Sequence, residues 1–69
     1  MDRQYDLFEK FPDGAMIWKG NFVGHENAIQ KLLEFAATTE NECCLMDLPT
    51  KTVIASMNVP DGNGLKQNP

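Results

Sequence analysis

The chain has 69 residues, enough for one domain whose core rarely supplies more than about 3–5 kcal/mol of stability. Ten acidic residues outnumber six basic ones, for a net charge of −4. The basic residues are dispersed, so the clustered patch of a nucleic-acid-binding protein is not expected. No run approaches the roughly 20 apolar residues of a membrane span. No apolar segment follows the first residues as in a signal peptide, which favours a cytoplasmic location.

The sequence offers no disulfide bond between distant elements and no structural metal site to stabilise so small a domain. Its two cysteines, Cys43 and Cys44, are adjacent and cannot join distant elements, and reduced thiols are typical of a cytoplasmic protein. With the single histidine, His25, they fall short of the about four ligands of a structural zinc site. We therefore expect no metal and no cofactor. Association with another chain remains as a source of added stability.

The first predicted element is a β-hairpin. Its first strand, residues 5–11, leads into the turn sequence Phe-Pro-Asp-Gly-Ala, in which proline presets one turn position and glycine accepts a left-handed one. The resulting register places Phe8 opposite Trp18 and Leu7 opposite Lys19. The two faces of the hairpin are then Phe8, Met16, Trp18, Gly20 and Phe22 on one side, and Tyr5, Leu7, Phe11, Ala15 and Ile17 on the other.

An amphipathic helix is predicted next, over residues 24–39. Ile29, Leu32, Leu33 and Ala36 recur at helical spacing, and polar residues fill the opposite face. Because an isolated hairpin is only marginally stable in water, this helix is the element on which both hairpins are expected to pack.

A second hairpin is predicted from residues 42–48 and 52–57. Pairing Leu48 with Thr52 closes its turn. Lys51 then occupies the position whose backbone conformation glycine adopts most easily, so this turn is the weaker of the two.

The predicted fold is therefore α+β, a single small domain of residues 4–58 in the order β-β-α-β-β. Its sheet is mainly antiparallel and four-stranded, with the helix packed on one face, and the spatial order is 2-1-3-4 if strand three lies beside strand one. Residues 59–69 hold two prolines, two glycines and little to bury, so they are predicted to be a disordered tail.

No pattern in the sequence is typical of catalysis. His25 is expected to be a packed or surface residue, because a helix N-terminus disfavours imidazolium and no orienting partner is recognisable. Cys43 and Cys44 point to opposite faces of a strand, which predicts one buried and one half-exposed thiol rather than a redox pair. We predict no catalytic, cofactor-binding or metal-binding residue, and expect that the chain is not an enzyme.

A single helix covers only one face of the sheet, although both faces of the first hairpin are apolar. We expect it to cover the more aromatic face, which holds Phe8 and Trp18, and this leaves Tyr5, Leu7 and Ile17 as candidates for an interface. In the alternative, the helix covers the Tyr5 side and Trp18 makes the contact between chains.

The leading functional hypothesis is a non-enzymatic interaction module, a homodimer joined through the helix-free sheet face or an edge strand. A regulatory or antitoxin-like protein that binds one other protein is the alternative, and a small ligand-binding domain or enzyme is the third. Neither nucleic acid nor a membrane is an expected partner.

A set of residues is distributed over positions 5–57: Tyr5-Asp6-Leu7-Phe8, Pro12-Asp13-Gly14, Trp18, Gly24 with Glu26 and Ala28, Asn41-Glu42, and Asp47. This set resembles small stand-alone bacterial proteins labelled only as hypothetical. The resemblance implies a bacterial, cytoplasmic protein with a β-β-α-β-β domain, and implies no activity, substrate or cofactor. The second turn departs from the Thr-Gly of that pattern, because Lys51 follows Thr50.

Overall fold

A computed structural model describes residues 3–60 and 64–67. The described strands form one antiparallel sheet in the spatial order β2-β1-β3-β4-β5, and the predicted order of the first four is confirmed. In chain order the elements are β1 (Gln4–Lys10), β2 (Met16–Val23), α1 (His25–Ala36), β3 (Glu42–Asp47), β4 (Thr52–Met57) and β5 (Lys66–Gln67).

The fifth strand departs from the predicted four-stranded sheet and from the predicted disordered tail. Lys66 pairs with Ser56 and Gln67 with Ala55, while Leu65 packs against the core. A strand of two residues is too short to show a periodic pattern, which is why the sequence did not indicate it. The rest of that tail, at 61–63 and 68–69, lies outside the described residues.

The first hairpin closes with the predicted turn. The amide of Phe11 donates to the carbonyl of Ala15 at 2.8 Å, and the amide of Gly14 donates to the carbonyl of Phe11 at 2.9 Å. Gly14 has a φ of 93°, the left-handed conformation that the glycine was expected to supply.

A β-bulge at Lys19 changes the register beyond that point. Phe8 lies opposite Trp18 as predicted, but Leu7 then pairs with Gly20 rather than with Lys19. Because β2 has one residue more than β1 here, the side chains after Lys19 point to the opposite faces from those predicted for an uninterrupted strand. Phe22 thereby lies opposite Tyr5 and packs against the core, while Trp18 stays on the other face.

The helix covers the face that carries Tyr5 and Leu7, so the expected assignment of faces is wrong. Both residues are buried, and neither can form an outer interface in this fold; Ile17 lies at the margin of the helix-covered face and is exposed. The reason is that the bulge adds Phe22 to the Tyr5 side, and β3 adds Leu45 there. The buried apolar residues are Tyr5, Leu7, Ala28, Leu32, Ala36, Cys43, Cys44, Leu45 and Ala55.

The helix begins after Gly24, which has a φ of 89°, and its last residue is Ala36, three residues before the predicted end. The second hairpin differs from prediction by one residue, because Asp47 rather than Leu48 pairs with Thr52. Lys51 has a φ of 59°, as expected for a position that favours glycine.

Candidate interaction surface

The large apolar side chains that the described residues expose are concentrated on β2. Met16, Ile17, Trp18 and Val23 are 50%, 44%, 58% and 47% exposed, and the remaining one is Leu33 on the helix. We call these four residues the β2 surface; Met16, Trp18 and Val23 lie on the helix-free face, and Ile17 lies at the margin of the other face. Scattered apolar side chains are normal on a monomer, whereas several on one strand are typical of a contact surface.

β2 also forms one edge of the sheet. It is eight residues long, and within residues 3–60 and 64–67 its only strand neighbour is β1. The opposite edge is β5, which has two exposed residues, Lys66 and Gln67. Short, charged edge strands discourage pairing with another chain, while long apolar ones favour it. The two edges of this sheet therefore differ in length and in the apolar side chains that they expose.

Trp18 is held in place on the helix-free face. Its indole Nε1 donates to Oδ1 of Asp6 at 3.2 Å, and Nδ2 of Asn21 donates to the same oxygen at 3.1 Å. Asp6 thus fixes two side chains of β2 from the neighbouring strand. A ring held in one position loses less side-chain entropy when a partner covers it.

The charged side chain of β2, Lys19, is turned towards the helix. Its Nζ lies 3.4 Å from Oε1 of Glu9 and 5.5 Å from the ring centroid of Phe35. The other oxygen of Glu9 accepts hydrogen bonds from Asn41 and Thr39, both at 2.8 Å. These bonds hold the pKa of Glu9 below its ordinary value, so the carboxylate is charged and fully engaged. This cluster ties the chain after the helix to β1.

A second buried carboxylate, Asp47, lies at the other end of the sheet. Nε and Nη2 of Arg3 donate to its two oxygens at 2.9 and 2.7 Å, and the hydroxyl of Thr50 donates to Oδ2 at 2.6 Å. The hydrogen bond from Arg3, followed by that from Thr50, holds the pKa of Asp47 well below its usual range. A carboxylate so paired anchors the turn after β3 and is poorly suited to proton transfer.

The side chains whose reactivity the sequence analysis considered are His25, Cys43 and Cys44. His25 is exposed at the helix start, with its ring edge-on to Tyr5 at a centroid distance of 6.0 Å. Cys43 and Cys44 are both buried and free, so the prediction of one half-exposed thiol is wrong. Burial raises the pKa of Cys43 to about 11 and also raises that of Cys44. Both are neutral thiols at neutral pH, the unreactive form.

Open depressions on the described part of the chain do not bring His25 and the cysteines together. One, of about 350 Å³, lies between the first turn and Asn58, and another, of about 360 Å³, lies between His25, Leu33 and β5. Among the described residues, no group of three or more His, Cys, Asp or Glu side chains is placed to hold a metal ion. The described residues also contain no helix that is long and apolar enough to cross a membrane.

The sequence did not predict two features near β2, which are the bulge at Lys19 and the hydrogen bonds of Glu9. The bulge had a signal in Gly20, because an isolated glycine within a strand often marks one. Glu9 stands between apolar residues on the core side of β1, but nothing nearby in the sequence names Thr39 and Asn41 as its partners.

Comparisons with protein-family models, with curated proteins and with solved structures find no match for this chain.

Proposed function

We propose that the protein is a non-enzymatic interaction module that binds a second copy of itself through the β2 surface. The observation that supports this is the concentration of exposed apolar side chains on one long edge strand. Burial of such side chains between two copies would add the stability that a core of this size lacks, since apolar area contributes about 25 cal/mol per Å² removed from water.

A second copy suits this surface because of where the charges lie. The chain is acidic overall, so two copies repel one another at long range. The β2 surface, however, carries no acidic residue, and Lys19 is already paired with Glu9 on the helix side. Two β2 surfaces can therefore meet without placing like charges in contact.

The experiment compares two exposed apolar residues by size-exclusion chromatography across a range of protein concentrations. Trp18→Ala removes the largest side chain of the β2 surface, and Leu33→Ala, on the helix, is the matched control. We expect the Trp18 variant to keep its circular dichroism spectrum and elute as a monomer, while the Leu33 variant elutes as the wild type does. Equal elution of a folded Trp18 variant and the wild type would overturn the proposal.

A further inference from the structure

We infer that the two copies pair along β2 as antiparallel strands, joining their sheets edge to edge in a single register. Met16 then lies opposite the partner's Val23, and Trp18 lies opposite the partner's Asn21. This inference rests on the proposed self-association and adds its geometry. It distinguishes edge-to-edge pairing from a dimer in which two helix-free faces pack against each other.

The backbone of β2 alternates between groups that face β1 and groups that face away from it. The alternation is fixed at both ends, because Phe11 donates to the carbonyl of Ala15 and Gly24 donates to the carbonyl of Arg3 at 2.9 Å. The alternation runs inwards from each end of β2 and is interrupted once, by the extra residue at the bulge. The residues of β2 therefore fall into two sets, according to the direction of their backbone N–H and C=O groups. The residues that face β1 are Ile17, Gly20 and Phe22, and the outward residues are Met16, Trp18, Asn21 and Val23.

The outward residues are arranged symmetrically about the bulge. Trp18 and Asn21 flank it on either side, and Met16 and Val23 follow at the next outward position. A two-fold axis through the bulge therefore pairs every outward residue with another outward residue. A two-fold axis at Ile17 or at Phe22 would pair only two of the four, so the register centred on the bulge forms the most hydrogen bonds between strands.

Side chains and charge favour the same register. Met16 and the partner's Val23 are both apolar and about half exposed in the single chain, at 50% and 47%. Lys19 falls opposite the partner's Gly20, and its ammonium points to Glu9 instead. Cross-strand apolar pairs stabilise a sheet, while like charges directly opposite destabilise it. Because the pairing is isologous, it uses each β2 edge once and closes as a dimer.

Amide hydrogen exchange measured by NMR tests this geometry directly. At concentrations where the protein is dimeric, we expect the amides of the outward residues to exchange at least about tenfold more slowly than in the monomeric Trp18→Ala protein. The amides of Ile17, Gly20 and Phe22 serve as references, because they are bonded to β1 in both states. A dimer whose outward amides exchange at the monomer rate would overturn edge pairing and leave self-association standing. Slow exchange restricted to one side of the bulge would overturn the register, and a monomeric wild type would overturn both proposals.

A proline variant supplies a second readout. Val23→Pro removes an amide that faces away from β1, and proline is tolerated on edge strands for that reason. We expect Val23→Pro to raise the dimer dissociation constant at least about tenfold more than Val23→Ala does, with both variants folded by circular dichroism. Equal weakening by the two would show that the side chain alone matters, and would overturn strand pairing.

Discussion

The side-chain amide nitrogen of Asn58 lies 3.1 Å from the carbonyl oxygen of Ala36, the last residue of the helix. The same nitrogen donates to the carbonyl oxygens of Thr39 at 2.9 Å and of Asn41 at 3.1 Å. One side chain that follows β4 thus shares its two amide hydrogens among three carbonyl groups, one at the helix C-terminus and two in the segment that leads to β3. Asn58 also has a φ of 60°, a conformation that asparagine tolerates better than most residues.

Substitution of Asn58 should therefore act in two separable ways. Asn58→Ala loses the hydrogen bonds and strains the backbone, and we expect it to lower the free energy of unfolding by about 2–3 kcal/mol. Asn58→Gly loses the hydrogen bonds but accepts the positive φ, so its loss should be about 1 kcal/mol smaller. Chemical denaturation measures both. If alanine is tolerated as well as asparagine, the side chain does not hold the helix end.

Lys51 offers the opposite effect, a stabilising substitution. Its φ of 59° is unfavourable for a residue with a Cβ atom, and its amide donates to the carbonyl of Asp47 at 2.8 Å to close the turn. Lys51→Gly should raise the free energy of unfolding by up to about 1 kcal/mol, since glycine adopts this conformation without strain. Lys51→Ala removes the same charge and is the control. Equal stability of the glycine and alanine variants would contradict the assigned backbone strain.

The buried carboxylates make stability depend on pH. The folded-state pKa of Asp47 is held below its ordinary value of 3.8, and that of Glu9 below 4.5. A lowered folded-state pKa contributes stability that is fully present above the ordinary value and is lost as pH falls towards the folded one. We expect the melting temperature to drop steeply below about pH 4.5.

Asp47→Asn isolates one part of that dependence. The variant cannot form the ion pair with Arg3, so its melting temperature should lie several degrees below that of the wild type at neutral pH. The gap should narrow as pH falls through the acidic range, because the wild type then loses the same interaction. Glu34→Gln, at an exposed helix position, is the control. A gap that stays constant from neutral to acidic pH would contradict the assigned role of Asp47.

Two adjacent leucines test which side of the helix packs on the sheet. Leu32 is 0% exposed and Leu33 is 40% exposed. Leu32→Ala should cost about 2–5 kcal/mol, which is comparable to the whole stability of about 3–5 kcal/mol expected for a domain of this size. That variant should be largely unfolded by circular dichroism, while Leu33→Ala should fold normally. A folded Leu32 variant would contradict the described core.

The turn chemistry and helical spacing in the sequence were enough to predict the order of the elements and the pairing of Phe8 with Trp18. They did not decide which face the helix covers, because large apolar side chains lie on both. That choice depends on the bulge at Lys19, which turns Phe22 towards the helix, and on Leu45 from a strand distant in sequence. The sequence therefore predicts an interface at Tyr5, Leu7 and Ile17, whereas the structure buries Tyr5 and Leu7 and exposes Ile17 and Trp18.

Sedimentation equilibrium of the wild-type protein at micromolar concentrations tests most directly whether the β2 surface binds a second copy. We expect a mass of twice the 7.7 kDa of the single chain, falling towards 7.7 kDa on dilution. A single species of 7.7 kDa throughout the concentration series would contradict it.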